Sequence, residues 1–323
     1  MSYYLLGIRK ENAKNSKFFK GYAFIHGGGK DDVNFKKLYW FDVDCDAIAN
    51  FKIFAEFYKF AMEMFKKQDP EAKFMLFNPS PLVYFKTFQD VVCHNSPDLV
   101  RFLCHKYSCR EFFKNDVDTL PQTKLLKYYI DYKHLKPMFD GKFERFVAQA
   151  PFGLNGQRTI IVTKENSVRA KYHLKPRVYY SVTGYIENSI SVKNTFVMSE
   201  KNYMILEGYQ QINKPVFRIE NKGYDFESYQ KLSDTAKQNI FEATTKIVQK
   251  LKRYGYLGVG EVEFVLDGDK PLFVEINPRF PNATSALNKK LTEKGFPCLF
   301  ELNLLSFEEQ EKFDEICEKF KTI

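Results

Sequence analysis

The segment GYLGVGEVEFVLDGDKPLFVEINPRF, Gly255 to Phe280, limits the fold more than any other part of the chain. Two runs of β-forming residues flank the turn DGDKP, and this pattern predicts a β-hairpin. Side chains alternate across a strand, so Glu275, Asn277 and Arg279 share one face while Val274 and Ile276 take the other. The loop decides what faces them. If Gly268, Asp269 and Lys270 form a three-residue loop, Asp267 faces Pro271, Glu263 lies opposite Glu275, and Glu261 lies opposite Asn277. A two-residue loop at Asp267-Gly268 would instead set Glu263 among Val274 and Ile276.

Two carboxylates directly opposite one another repel unless a cation lies between them. A Mg²⁺ ion supplies one, with the remaining coordination left to an amide oxygen, phosphate and water. Arg279 would then reach the same phosphate or a substrate carboxylate. The competing reading is a solvated sheet face with cross-strand ion pairs.

GYLGVGEVEFVL followed by KPLFVEINPRF resembles the C-terminal metal-binding signature of ATP-grasp enzymes. The resemblance implies that Glu263, Glu275 and Asn277 hold Mg²⁺ on ATP and that Arg279 contacts phosphate or an acyl phosphate. Upstream segments are similar to the family's other parts in the family's order. VVCHNSPDLVRFLCHKYSCREFF would supply an early phosphate-contacting lysine, Lys106. FVAQAPFGLNGQRTIIV looks like the phosphate loop, with Gly153 and Gly156 letting backbone N–H groups approach the phosphates. SVTGYIENSISV looks like the hinge, where Thr183, Gly184 and Tyr185 would meet adenine and Glu187 the ribose.

One departure stands out. The family usually carries a second phosphate-binding lysine on the strand before the glycine loop, and this chain has Gln149 there. Either Arg158 or Lys171 takes its place, or turnover is weakened, because an amide donates a hydrogen bond without neutralising charge.

The implied fold is α/β (α+β): an ATP-grasp pair of lobes gripping the nucleotide, preceded by an α/β domain. The expected divisions are 1–103 for the N-terminal domain, 104–182 for the first lobe with the phosphate loop, and 183–323 for the second lobe with the Mg²⁺/ATP site. Strand and helix alternation in the first hundred residues agrees with an α/β leader. One helix is expected from Ser96 to Phe113, another over TKLLKYYIDYKHL, another from Ser233 to about Tyr254, and a last one opening at Ser306 in the capping box SFEE.

The expected activity is that of an ADP-forming ligase, in which a carboxylate takes the γ-phosphoryl group of ATP and the acyl phosphate passes to an amine. Expected partners are a small-molecule carboxylate, such as an amino acid or peptide, and an amine. A thiol acceptor on an acyl or peptidyl carrier protein, a catalytically weak ATP-binding protein, and a homodimer are the alternatives and additions the resemblance leaves open.

Other classes fit poorly. The net charge of +9 comes from lysines and arginines scattered among acids and aromatics, so it favours small anions or an acidic partner over nucleic acid. The five histidines lack zinc spacing, and Cys93 beside His94 would point away from it on a strand. Six cysteines without a CxxC pair suit a reducing cytoplasm, and no apolar run reaches the ~18 residues a bilayer crossing needs. The run HGGGKDD, His26 to Asp32, reads as a loop between strands.

Overall fold

In the computed structural model of the chain, residues 2–9, 18–26, 51–153 and 158–320 are described. The glycine run after His26, and Gly156, lie outside them.

Parallel strands need long crossovers, and the first layer has them. Strands β1 (Tyr3–Arg9), β2 (Gly21–His26), β3 (Lys73–Leu76) and β4 (Val91–Val92) form a parallel sheet in the order β2-β1-β3-β4. Helix α1 (Phe51–Lys66) buries Phe54, Phe57, Tyr58, Ala61 and Phe65 against it, the stripe its apolar spacing predicts.

The helix expected from Ser96 to Phe113 is two helices. Ser96 caps α2 (Pro97–Cys104), and α3 (Lys106–Phe113) starts two residues after α2 ends. His105 makes the break: its backbone is extended, with φ −80 and ψ 100, and its Nδ1 accepts from the Ser108 N–H at 3.2 Å. The side chain thus satisfies one of the free N–H groups at the start of α3. Cys109 and Phe113 of α3 pack into the core of the third sheet, so by packing α3 belongs with the C-terminal lobe.

The second sheet is antiparallel, ordered β5-β8-β6-β7 from β5 (Gln122–Leu126), β6 (Phe146–Gln149), β7 (Thr159–Val162) and β8 (Tyr179–Gly184). The opening TKLL of TKLLKYYIDYKHL is therefore strand instead of the expected helix, and Lys127–Tyr129 form a 3-10 turn. Pairing with β8 outweighs the helical bias of its Lys and Leu residues, and α4 (Tyr132–Met138) begins only where Asp131 accepts from the His134 N–H. Helix α5 (Ser167–His173) follows β7.

The third sheet is antiparallel, with β9 (Ile190–Met198), β11 (Tyr209–Pro215), β12 (Ile219–Asp225), β13 (Gly258–Asp267) and β14 (Lys270–Asn277) in the order β12-β11-β9-β13-β14 and β10 (Tyr203–Ile205) paired to β9. Helix α6 (Phe226–Gln230) follows β12, and α7 (Asp234–Arg253) covers the sheet's apolar face with Ile240, Ile247 and Leu251. As expected, Ser233 caps α7 and Gly255, at φ +71, follows its end.

Three further helices close the chain: α8 (Thr284–Glu293), α9 (Leu299–Glu308) and α10 (Gln310–Phe320). Ser306 does not open the last of them. It is buried inside α9, its hydroxyl donating to the Asn303 carbonyl at 2.7 Å, because the run Leu299–Leu305 is mostly apolar and, Glu301 apart, sits in the core. Phe296, Phe300 and Phe313 join Leu5, Met75 and Phe77 in one cluster, so the C-terminal helices are packed on the N-terminal sheet. No described helix is long and apolar enough to cross a membrane.

Candidate functional site

A cavity of about 210 Å³ lies between the second and third sheets. Lys193, Glu263 and Glu275 line its floor as direct partners on the neighbouring strands β9, β13 and β14, and the buried Tyr209 on β11 continues the row beneath it. The expected pairing of Glu263 with Glu275 and Glu261 with Asn277 is present, but the loop that sets it differs. Asp267 pairs with Lys270, leaving a two-residue loop of Gly268 and Asp269, and a β-bulge at Val274 restores the register. The bulge also turns Val274 away from Ile276. Val274 joins Leu120 and Leu272 on the cavity side, whereas Ile276 stays in the core.

The carboxylates are held by built-in cations. Lys106 Nζ donates to Glu275 Oε2, and Lys193 Nζ lies 2.9 Å from Glu261 Oε1 and 3.1 Å from Glu263 Oε2. Ser191 donates to the other Glu263 oxygen at 3.1 Å. Burial would raise the Glu263 pKa, but the Lys193 and Lys106 charges outweigh it and hold the carboxyl below its ordinary value. Burial draws the Lys106 ammonium down to about 8, with Glu263 opposing the shift and Arg110 and Lys193 adding to it. Glu261, 1% exposed, has both oxygens occupied: Lys193 and Asn277 Nδ2, the latter at 3.1 Å, reach Oε1, and the Tyr209 hydroxyl donates to Oε2. Burial, then the Glu261 charge, push the Tyr209 pKa well up.

The opposite wall comes from the second sheet. Gln149 lies there between Thr159 and Ser181 on the neighbouring strands, and Arg110 fills the space beside it. Arg110 Nη2 donates to the Gln149 side-chain oxygen, Nη1 to Ser181 Oγ at 3.1 Å, and Nε at 2.7 Å to the carbonyl of Val274, the bulge residue. Burial brings the Arg110 pKa down to about 10. Lys106 and Arg110 are four apart on α3 and so present one face to the cavity. That spacing is the sequence signal for Arg110. Lys193 had a signal too, as a lone charge in the buried strand run SVKNTFVM.

Arg158 and Lys171 do not line the cavity. Lys171 Nζ is 2.7 Å from Asp131 Oδ2, and Arg158 has a left-handed backbone, φ +61, next to β7. The apolar end of the cavity is made by Leu120, Val147, Ile186, Val265 and Val274 beside Thr183, Gly184 and Tyr185. A Cβ on Gly184 would come within 2.4 Å of the Phe143 ring, so only glycine fits there. Glu187, expected at a ribose, is ion-paired with Arg145 and is not a lining residue. Arg145 in turn stacks 4.1 Å over Tyr185.

A second, smaller cleft is bordered by Ser80, Cys104, Phe152, Gly153 and Asn277, and it shares Lys106, Glu275 and Arg279 with the main cavity. Asn277 faces this cleft; its Oδ1 accepts from Arg279 Nη2 at 3.0 Å. The start of the expected phosphate loop is tied to α3, with the Lys106 N–H donating to the Pro151 carbonyl at 3.1 Å and Phe152 packed edge-on to His105.

A lined cavity between two antiparallel sheets, with acids on one hairpin and cations from a preceding helix, defines a two-lobed nucleotide-binding architecture. Residues 104–283 match the ATP-grasp domain family, more than half the chain, and the chain belongs to that family. ATP and Mg²⁺, the cofactors implied by its sequence, are those of the family. No curated protein sequence matches it.

Among solved structures, it is similar to the biotin carboxylase of Campylobacter jejuni, with a TM-score of 0.63 and 12% identity over 95% of this chain and 71% of that one. It is also similar to the phosphoribosylamine–glycine ligase of Thermotoga maritima, at 0.60 and 14% over 96% and 76%. For carboxyaminoimidazole ribonucleotide synthase from Aspergillus clavatus the values are 0.50 and 13% over 65% of this chain, which spans only 54% of that protein. At these identities the likeness establishes the fold.

Proposed function

We propose that the protein is an ATP-dependent, ADP-forming ligase that activates a carboxylate as an acyl phosphate and passes the acyl group to an amine. The observation that carries this reading is the wall common to both cavities: Lys106, Glu275 and Arg279 face the main cavity on one side and the smaller cleft on the other. A γ-phosphate at that wall would meet a carboxylate bound in the cleft. The carboxylate oxygen attacks γ-phosphorus, the bond to the β–γ bridging oxygen breaks, and ADP leaves. An amine then attacks the acyl carbon and releases phosphate.

The residues fit a Mg²⁺ ion shared with phosphate. Among the described residues no group of three or more His, Cys, Asp or Glu side chains is arranged to hold a metal. Glu263 and Glu275, opposite each other and facing the cavity, give the one or two carboxylates that Mg²⁺ commonly takes from a protein when phosphate and water complete its shell. When bound there, Mg²⁺ would neutralise charge on the phosphates. Asn277 would join only by releasing Arg279, so it reads better as a positioner of Glu275 and Arg279. Lys106, Arg110 and Arg279 serve as phosphate clamps. Phosphoryl transfer asks the protein mainly for such positioning and charge neutralisation.

Two of the three named neighbours are called ligase and synthase, and the amine-accepting reading follows that company. An amino acid or peptide is the carboxylate class we favour, with Arg279 placed to meet its carboxylate. The test is ADP release from Mg·ATP with amino acids singly and in pairs, with product mass determined. Release that depends on a carboxylate, and an amide product when an amine is added, are expected. No release with any carboxylate, although Mg·ATP binds, would overturn the ligase reading, and a thioester product on a carrier protein would change the acceptor.

A further inference from the structure

Lys193 sits at the centre of β9, buried, between Tyr209 and Glu263 in the row across the cavity floor. Its ammonium is fixed from behind by Glu261, whose other contacts, to Tyr209 and Asn277, leave that carboxylate no freedom to turn into the cavity. Two of its three hydrogens are engaged by Glu261 and Glu263, and the residue still lines the cavity. Among the described lining residues, Lys106, Arg110, Lys193 and Arg279 face Glu263 and Glu275, and with Glu261 behind Lys193 counted as well one positive charge remains in excess before any ligand arrives. Such fixed, preorganised charges in a partly dry cavity act strongly on an anion because no reorganisation is needed when it binds.

We propose that Lys193 is a resident cation that does at the phosphate end what a divalent ion does elsewhere, so that a nucleoside diphosphate binds this chain without metal and Mg²⁺ is needed only for phosphoryl transfer. The inference rests on reading the cavity as a nucleotide site. A lysine there only to balance Glu261 and Glu263 would leave diphosphate binding dependent on metal.

The experiment is calorimetric titration of ADP into the whole chain, once with excess Mg²⁺ and once with EDTA. Wild type is expected to bind in EDTA within about tenfold of its affinity in Mg²⁺. The double variant Lys193→Met/Glu261→Gln removes both members of the buried pair, and Glu263 keeps the Ser191 hydroxyl and the nearby Lys106 charge. It is expected to lose at least about tenfold more affinity in EDTA than in Mg²⁺. Lys193→Arg, which keeps a cation at the site, should restore part of the EDTA binding and serves if the double variant does not fold. Wild-type binding in Mg²⁺ but not in EDTA overturns the proposal and leaves the nucleotide reading standing, as does a variant whose two affinities fall equally. Binding under neither condition overturns both.

Discussion

Arg110 donates its Nη2 hydrogen to the side-chain oxygen of Gln149, across the wall of the main cavity. The contact changes the meaning of the amide at this position. A lysine there would place its charge beside Arg110, and two like charges close together in a buried wall oppose each other. Gln149 instead accepts from Arg110 and leaves that guanidinium as the local cation. Arg110→Met is therefore expected to weaken ADP binding by about tenfold or more and to lower the melting temperature, since it removes the donor to the Gln149 oxygen and the Val274 carbonyl and leaves Ser181 only its bond to Gln122. Lys171→Met and Arg158→Met should leave ADP affinity within about twofold. Calorimetry on the three variants checks this. A large loss for Lys171→Met with none for Arg110→Met would return the missing charge to Lys171.

Glu263 and Glu275 divide from Glu261 by their access to the cavity. All three carboxylates accept from protein donors, but Glu263 and Glu275 line the cavity and Glu261 does not. Glu275→Gln and Glu263→Gln should each raise the Mn²⁺ concentration needed for half-saturation in the presence of ADP by about tenfold, and Glu261→Gln should change it far less. Electron paramagnetic resonance of free Mn²⁺ reads this directly. Equal shifts in all three would undo the ligand assignment.

The pairing of Glu263 with Glu275 was legible because a carboxylate and an amide recur at alternate positions of the hairpin, and a strand's period of two fixes their face. The bulge at Val274 was not. Counting residues cannot separate a longer loop from a shorter loop plus one bulged residue when both give the same pair. The parts of Arg110 and Lys193 are not local in sequence: each reaches the site from a separate element, and Arg110 and Val274, in contact, are 164 residues apart. The middle segment from Gln122 is helical by composition, but its neighbour β8 supplies a strand edge. The family resemblance needed no long-range information, because the motifs that carry it are contiguous segments.

Tyr209 tests whether the floor is rigid. Its hydroxyl donates to Glu261 Oε2 in a fully dry setting. Tyr209→Phe leaves that oxygen without its donor, at an expected cost of about 1.5–3 kcal/mol for a hydrogen bond to a charged group. Denaturant unfolding measures the loss. A change below about 0.5 kcal/mol would mean that water or Lys193 takes over the contact.

His105 governs the aim of Lys106. The extended backbone at His105 and its ring contact to Ser108 N start α3 at Lys106. His105→Ala should cost about 1 kcal/mol as a lost cap. It should also let α2 and α3 straighten toward one helix, turning Lys106 off Glu275, so ADP affinity is expected to fall by more than about threefold. His105→Asn, another side chain that caps helices well, should recover both stability and affinity. Loss of stability without loss of affinity would limit the residue to capping.

Asp131 gives a pH-dependent prediction outside the cavity. Its carboxylate caps α4 through the His134 N–H at 3.1 Å and lies 2.7 Å from Lys171 Nζ. Burial would raise its pKa, but hydrogen bonds from Lys171 and His134 overcome this and hold it at about 2, against an ordinary 3.8. A carboxyl whose folded pKa is depressed stabilises the fold above its unfolded value and loses that contribution as pH falls through the folded value. Asp131→Ala is expected to lower stability at neutral pH by about 1 kcal/mol, mostly the cap, because Lys171 is partly exposed and its pairing is screened by water. The gap between wild type and variant should stay constant above pH 3.8 and close as pH falls toward about 2. Melting curves of both proteins across that range make the comparison. A gap that persists unchanged to about pH 2 would show that the carboxylate's charge plays no part in holding α4 to α5.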